Sequence, residues 1–78
     1  MLVRRGVKLL DSFEIVLNGQ SRTVKGGQSL LELVRLLGLE PSRLAVELDG
    51  VIVKHDCWEA TMINPGARLE LVHFVGGG

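Results

Sequence analysis

The chain has 78 residues, which is one domain, and surface scaling lets a chain of this size bury roughly 62% of its unfolded area. Hydrophobic residues make up 46% and charged residues 23%, a globular balance that excludes a disordered tail protein. Nine basic and nine acidic residues cancel, and aromatics are only 4% with no tyrosine, so neither a positive nucleic-acid grip nor a base-stacking platform is expected.

Met1 to Ser12 has no clear period and reads as a mobile extension ahead of a domain over 13–75. Phe13-Glu14-Ile15-Val16-Leu17 alternates, with Phe13, Ile15 and Leu17 on one face of a strand. Asn18-Gly19 follows, a pair suited to a type I′ turn because both central positions need positive φ. Ser21 to Lys25 is then the return strand of a hairpin. Gly26-Gly27-Gln28 breaks the pattern, and Ser29 with Glu32 forms a capping box at a helix entry. Leu30, Leu33, Val34 and Leu37 make the apolar stripe of a helix over about Leu30 to Leu37. Gly38 stands where a left-handed residue closes a Schellman motif with Leu39, and Pro41 confirms the stop. A helix of two turns must pack on a sheet to survive.

Leu44 to Leu48 is a third strand, Asp49-Gly50 a tight turn and Val51 to Val53 a short fourth strand. His55 to Ala60 is a loop or single helical turn, with Trp58 as its large apolar group, expected in the core. Asn64-Pro65-Gly66 signals a turn, and Arg68 to Val75 is the last strand. Leu69 and Leu71 share one face of it, and Glu70, Val72 and Phe74 share the other. The order β-β-α-β-β-β predicts an α+β ubiquitin-like β-grasp: a mixed sheet of four to five strands, one main helix on one face, and the last strand central beside the first.

One cysteine excludes an internal disulfide and a Cys-rich zinc site. No apolar run approaches the length of a membrane helix and no signal peptide is read, so a cytoplasmic protein without membrane or nucleic-acid partners is expected. His55, Asp56 and Cys57 sit side by side, but adjacent residues point in different directions and no second cluster completes a metal site or a nucleophilic pair. No catalytic and no metal-binding residue is assigned, and Cys57 is taken as a packed or half-exposed bystander.

The chemistry is expected at the end of the chain, Phe74-Val75-Gly76-Gly77-Gly78. A free carboxylate on Gly78 is ionised at neutral pH and is able to attack the α-phosphate of ATP to form an acyl adenylate. Glycines carry no Cβ, so such a tail enters a narrow enzyme channel and presents its carboxylate at up to ~3.3–3.6 Å per residue from the body. The tail, residues 76–78, is expected to be flexible because it buries almost nothing.

From Phe13 to Gly78 the chain resembles the ThiS family of sulfur carriers of thiamine biosynthesis, ubiquitin-like β-grasp proteins. The resemblance rests on the strand ending Leu17-Asn18-Gly19, on Gly27-Gln28-Ser29-Leu30 and on Leu48-Asp49-Gly50-Val51-Ile52-Val53. Most specific is the run Gly66-Ala67-Arg68-Leu69-Glu70-Leu71-Val72-His73-Phe74-Val75-Gly76-Gly77-Gly78. It departs from the family at Ala67, where members often carry Asp, and near Lys54, where a proline is common; both alter a surface turn and leave the tail intact.

The resemblance implies a carrier that catalyses nothing and binds no cofactor itself. A ThiF-like adenylating enzyme, using ATP and magnesium, would activate Gly78. A sulfur donor system would convert the adenylate to a thiocarboxylate, and thiazole synthase would take the sulfur into the thiazole ring. Gly76 and Gly77 would be the threading tail. Val72 and Phe74, if they face outward with Glu70, would form an apolar patch for the partner beside it; Phe74 packing over the sheet end is equally open. Two other readings stay open: the small subunit of molybdopterin synthase, which tends to carry prolines where Phe74-Val75 stand, and an unmodified ubiquitin-like interaction module.

Overall fold

The computed structural model describes residues 11–74. The extension expected over 1–12 falls almost wholly outside that span, and so do Val75 and the tail Gly76, Gly77 and Gly78.

Five strands and one α-helix follow in the order β1 (Ser12–Leu17), β2 (Gln20–Lys25), α1 (Leu30–Leu36), β3 (Leu44–Leu48), β4 (Val51–Val53) and β5 (Arg68–His73). Short 3-10 turns occupy Pro41–Arg43 and His55–Cys57. The sheet is mixed, in the order β2-β1-β5-β3-β4, and β5 lies at its centre, parallel to β1 and antiparallel to β3. This is the ubiquitin-like β-grasp that the pattern of elements predicts.

Local chemistry accounts for each joint. Asn18 and Gly19 have φ of 49° and 83°, and Asp49 and Gly50 have 50° and 87°, the two left-handed positions that a type I′ hairpin turn needs. At the head of α1 the Ser29 hydroxyl accepts from the Glu32 amide at 3.1 Å, while the Glu32 carboxylate accepts from the Ser29 amide at 2.8 Å. Two otherwise unpaired donors of the first turn are thereby satisfied. At the other end Leu37 is the cap and Gly38 turns to φ 78°. The Leu39 amide reaches back to the Val34 carbonyl and that of Gly38 to Arg35, the two bonds of a Schellman motif.

The helix lies over one face of the sheet. Its Leu30, Leu33 and Val34 meet Ile15, Leu17, Leu44, Val46 and Leu69, with Trp58, Ile63 and Ala67 closing the same core; Ala67, expected at a surface turn, is buried there. Leu37, expected in the stripe, is only half-buried because the helix has already ended there. The strands differ from expectation at their ends: β1 opens at Ser12 rather than Phe13, β2 at Gln20, and β5 closes at His73. The Phe74 amide still donates to the Arg43 carbonyl at 2.7 Å, so ladder bonding runs one residue past the strand.

Candidate functional site

The end of β5 is the last described backbone before the glycine tail, so its anchoring decides from where that tail departs. On one side β5 pairs with β3 from Leu48↔Leu69 to Leu44↔His73. On the other side its pairing with β1 covers only Val16↔Arg68 and Leu17↔Leu69, because β1 turns away at Asn18.

The Asn18 side chain replaces the missing backbone. Its Oδ1 accepts from the Leu71 amide at 2.7 Å, and its Nδ2 donates to the Leu71 carbonyl at 3.4 Å. A carboxamide has one acceptor and a paired donor in the same plane, so it imitates a peptide group. Sequence reading took Asn18 as a turn residue and missed this second task. Asn18→Gly keeps the positive φ and removes the amide, so it tests the bridge separately from the turn. Stability is expected to fall by about 1 kcal/mol, the usual worth of a hydrogen bond. Hydrogen exchange should accelerate at the Leu71 amide; unchanged protection there would refute the bridge.

Alternation along β5 holds as expected. Leu69 is buried and Leu71 half-buried, facing the helix, whereas Glu70, Val72 and Phe74 are exposed. Val72 is 57% and Phe74 54% accessible, so Phe74 is not packed away over the sheet end. Opposite them, Ala45 faces Val72 and Glu47 faces Glu70 across β3, and Ile52 of β4, 69% accessible, faces Glu47. The result is an open sheet face, apolar with acidic interruptions, that leads to the root of the tail.

The His55, Asp56 and Cys57 cluster has a structural use. The His55 ring stacks on Trp58 with centroids 4.4 Å apart, and its Nε2 donates to the Pro41 carbonyl at 3.0 Å, linking the two 3-10 turns. Cys57 is a free and exposed thiol, more open than the packed or half-exposed position expected of it. Among the described residues, no group of three or more histidine, cysteine or acidic side chains gathers as a metal site would require. No helix among them is long and apolar enough to cross a membrane.

The family model of the ThiS family matches residues 15–78, from the second half of β1 through to Gly78. The chain belongs to the ThiS family. Similar solved structures agree. The crystal structure of the thiamine biosynthesis protein ThiS from Geobacter metallireducens has a TM-score of 0.73 at 29% identity, covering 85% of this chain and 100% of that one. A designed protein based on human erythrocytic ubiquitin matches at a TM-score of 0.51 and 22% identity, over 88% of this chain and 98% of that one, which speaks for the fold alone.

Among curated proteins, thiazole synthase of Magnetococcus marinus is 34% identical over 65 residues, and that of Paramagnetospirillum magneticum 32% over 65. Both alignments cover 83% of this chain but only 20% of those proteins, so the chain spans about one fifth of their length. The uncharacterized protein ycf40 of Pyropia yezoensis is 30% identical over 68 residues, 87% of this chain and 96% of that protein.

Proposed function

We propose that this ThiS-family chain carries sulfur as a thiocarboxylate on Gly78, for the thiazole ring of thiamine. The observation that carries the reading is the family match, which continues past β5 to Gly78. In the proposed sequence a Gly78 carboxylate oxygen attacks the α-phosphorus of ATP in a ThiF-like enzyme, and magnesium pyrophosphate leaves. A sulfide equivalent from the donor system then attacks the acyl carbon, AMP departs, and the thiocarboxylate remains. Gly76 and Gly77 thread the partner's channel, and thiazole synthase consumes the sulfur. The chain serves as substrate and carrier and performs no catalysis; ATP and magnesium belong to the partner. A cytoplasmic location fits that role.

Two matched relatives are thiazole synthases and the Geobacter metallireducens protein is a thiamine biosynthesis protein. That favours this pathway over the small subunit of molybdopterin synthase. The test is incubation with ATP, magnesium, the adenylating enzyme and a sulfur donor, followed by mass spectrometry of the intact chain. One terminal oxygen replaced by sulfur is the expected result; no exchange under conditions that load a known carrier would refute it.

Val72 and Phe74 supply the apolar part of the docking face. Phe74→Ala is expected to weaken the complex with the adenylating enzyme about tenfold, as loss of an aromatic anchor does. With Phe74 54% accessible, the melting temperature should barely move. Unfolding of the variant would make Phe74 a core residue and remove it from the interface.

A further inference from the structure

The register of the sheet sets two acidic residues against each other. Glu47 of β3 and Glu70 of β5 are directly opposed, and alternation sends both to the face away from the helix. Like charges in directly opposed positions destabilise a sheet. Neither carboxylate forms an ion pair or a hydrogen bond among the described residues. The nearest cation along the same face of β5, Arg68, lies two residues further back, opposite Val16.

Apolar side chains flank the pair toward β4 and toward the tail. Ile52 flanks Glu47 in the same cross-strand row, and Ala45 and Val72 form the next row toward the tail. These residues line a shallow depression of about 390 Å³. A face meant only for water has no use for Ile52 at 69% and Val72 at 57% accessibility beside two carboxylates that pair with no described residue. A protein surface with a guanidinium or ammonium group set among aliphatic side chains complements both features at once.

We infer that Glu47 and Glu70 form a carboxylate clasp for an arginine or lysine of the adenylating enzyme, seated between Ile52 and Val72. This rests on the carrier reading above and names how that partner is recognised. Chain length selects the occupant: the four residues after Phe74 span at most ~14 Å at 3.3–3.6 Å each. An enzyme that takes the Gly78 carboxylate must therefore touch the body close to Phe74, one row beyond Val72 and Ala45. Binding would relieve the repulsion of the free carrier by placing a cation between the two carboxylates, and desolvation by the apolar rim would strengthen the contact.

The experiment is calorimetric titration of the whole chain against its adenylating enzyme at low and high salt, using the wild type, Glu47→Gln/Glu70→Gln and Phe74→Ala. The double glutamine variant keeps size and shape. It is expected to bind at least tenfold more weakly at low salt, with a flattened salt response, whereas Phe74→Ala weakens binding and keeps the wild-type salt slope. Free in solution, the double variant is expected to melt higher by about 2–5 °C, because a like-charge pair has gone. Undiminished binding by the double variant overturns the clasp, as does a wild type that does not bind. A double variant that melts lower also overturns it, since the carboxylates would then serve the isolated fold. Sulfur loading of Gly78 is read separately: binding with this charge signature but without loading refutes the carrier reading alone, and loading with undiminished binding of the double variant refutes the clasp alone.

Discussion

Deleting Gly78, or adding one residue after it, is expected to abolish sulfur loading, with a fall of at least about a hundredfold. The reason is geometric. Adenylation needs a carboxylate oxygen in line with the α-phosphorus, and a displacement of about 1 Å from such an arrangement already costs on the order of a hundredfold. One residue more or less moves the carboxylate by ~3.3–3.6 Å. The body anchors β5 on both sides, through Leu44↔His73 and the Asn18 amide, so slack in the body cannot absorb the change. The buried core residues among those described run from Ile15 to Leu69, well before Gly78, so thermal stability should be unaffected in both variants. Cys57→Ser is the companion measurement: the exposed thiol is free, yet a sulfur held there has no activated acyl group behind it. Loading is expected to be unchanged in that variant. Sulfur mapped to Cys57, or a truncated chain loaded as well as the full one, would refute the carrier chemistry.

Trp58→Ala is expected to cost about 3–5 kcal/mol, the range for removing a buried large aromatic side chain. Trp58 is 1% accessible and joins the loop before β5 to the underside of the helix. Its Nε1 donates to the Val53 carbonyl at 2.9 Å, and its own carbonyl accepts from the Leu31 amide at 3.2 Å. Against a total stability of about 5–15 kcal/mol, the loss leaves a marginal fold. Trp58→Phe keeps most of the apolar volume but orphans the Val53 carbonyl, so a smaller loss of about 1–3 kcal/mol is expected. Urea unfolding followed by circular dichroism separates the three proteins. An alanine variant that unfolds at the wild-type denaturant concentration would show that the site collapses around the gap.

The features read from sequence are those whose cause lies within a few residues. The Asn18-Gly19 and Asp49-Gly50 turns, the Ser29–Glu32 box and the Gly38 stop depend on neighbours at most five positions apart, and each stands as expected. Trp58 in the core and the outward set Glu70, Val72 and Phe74 were legible too, the latter because one charged residue marks the wet side of an alternating strand. The end of the helix was misjudged by one residue and the role of Pro41 was half seen: it stops the chain from continuing as α-helix, but it also opens the 3-10 turn Pro41–Arg43 at its first position. Gln28 was read as part of a break, yet it is buried, its side-chain Nε2 donating to the Lys25 carbonyl at 2.6 Å and its main-chain carbonyl accepting from the Ile63 amide at 3.0 Å. The Asn18–Leu71 bridge spans 53 residues and Glu47 faces Glu70 only through strand register. Alternation along one strand names a face; it does not name the partner across the gap.

The central place of β5 also bears on how the molecule resists being pulled. A force on the chain beyond Phe74, such as an enzyme dragging the tail into its channel, acts along the length of β5. β1 runs parallel to it, so a pull between the two ends of the sheet's inner pair slides one strand past the other. The Val16–Ala67 and Asn18–Leu69 amide bonds, both 2.8 Å, and the ladder to β3 then carry the load side by side. Peeling an edge strand such as β4 would instead break bonds one after another. Traction on the carboxyl end is thus resisted by bonds loaded together, which under the proposed carrier role would keep the domain assembled as its terminus enters an enzyme.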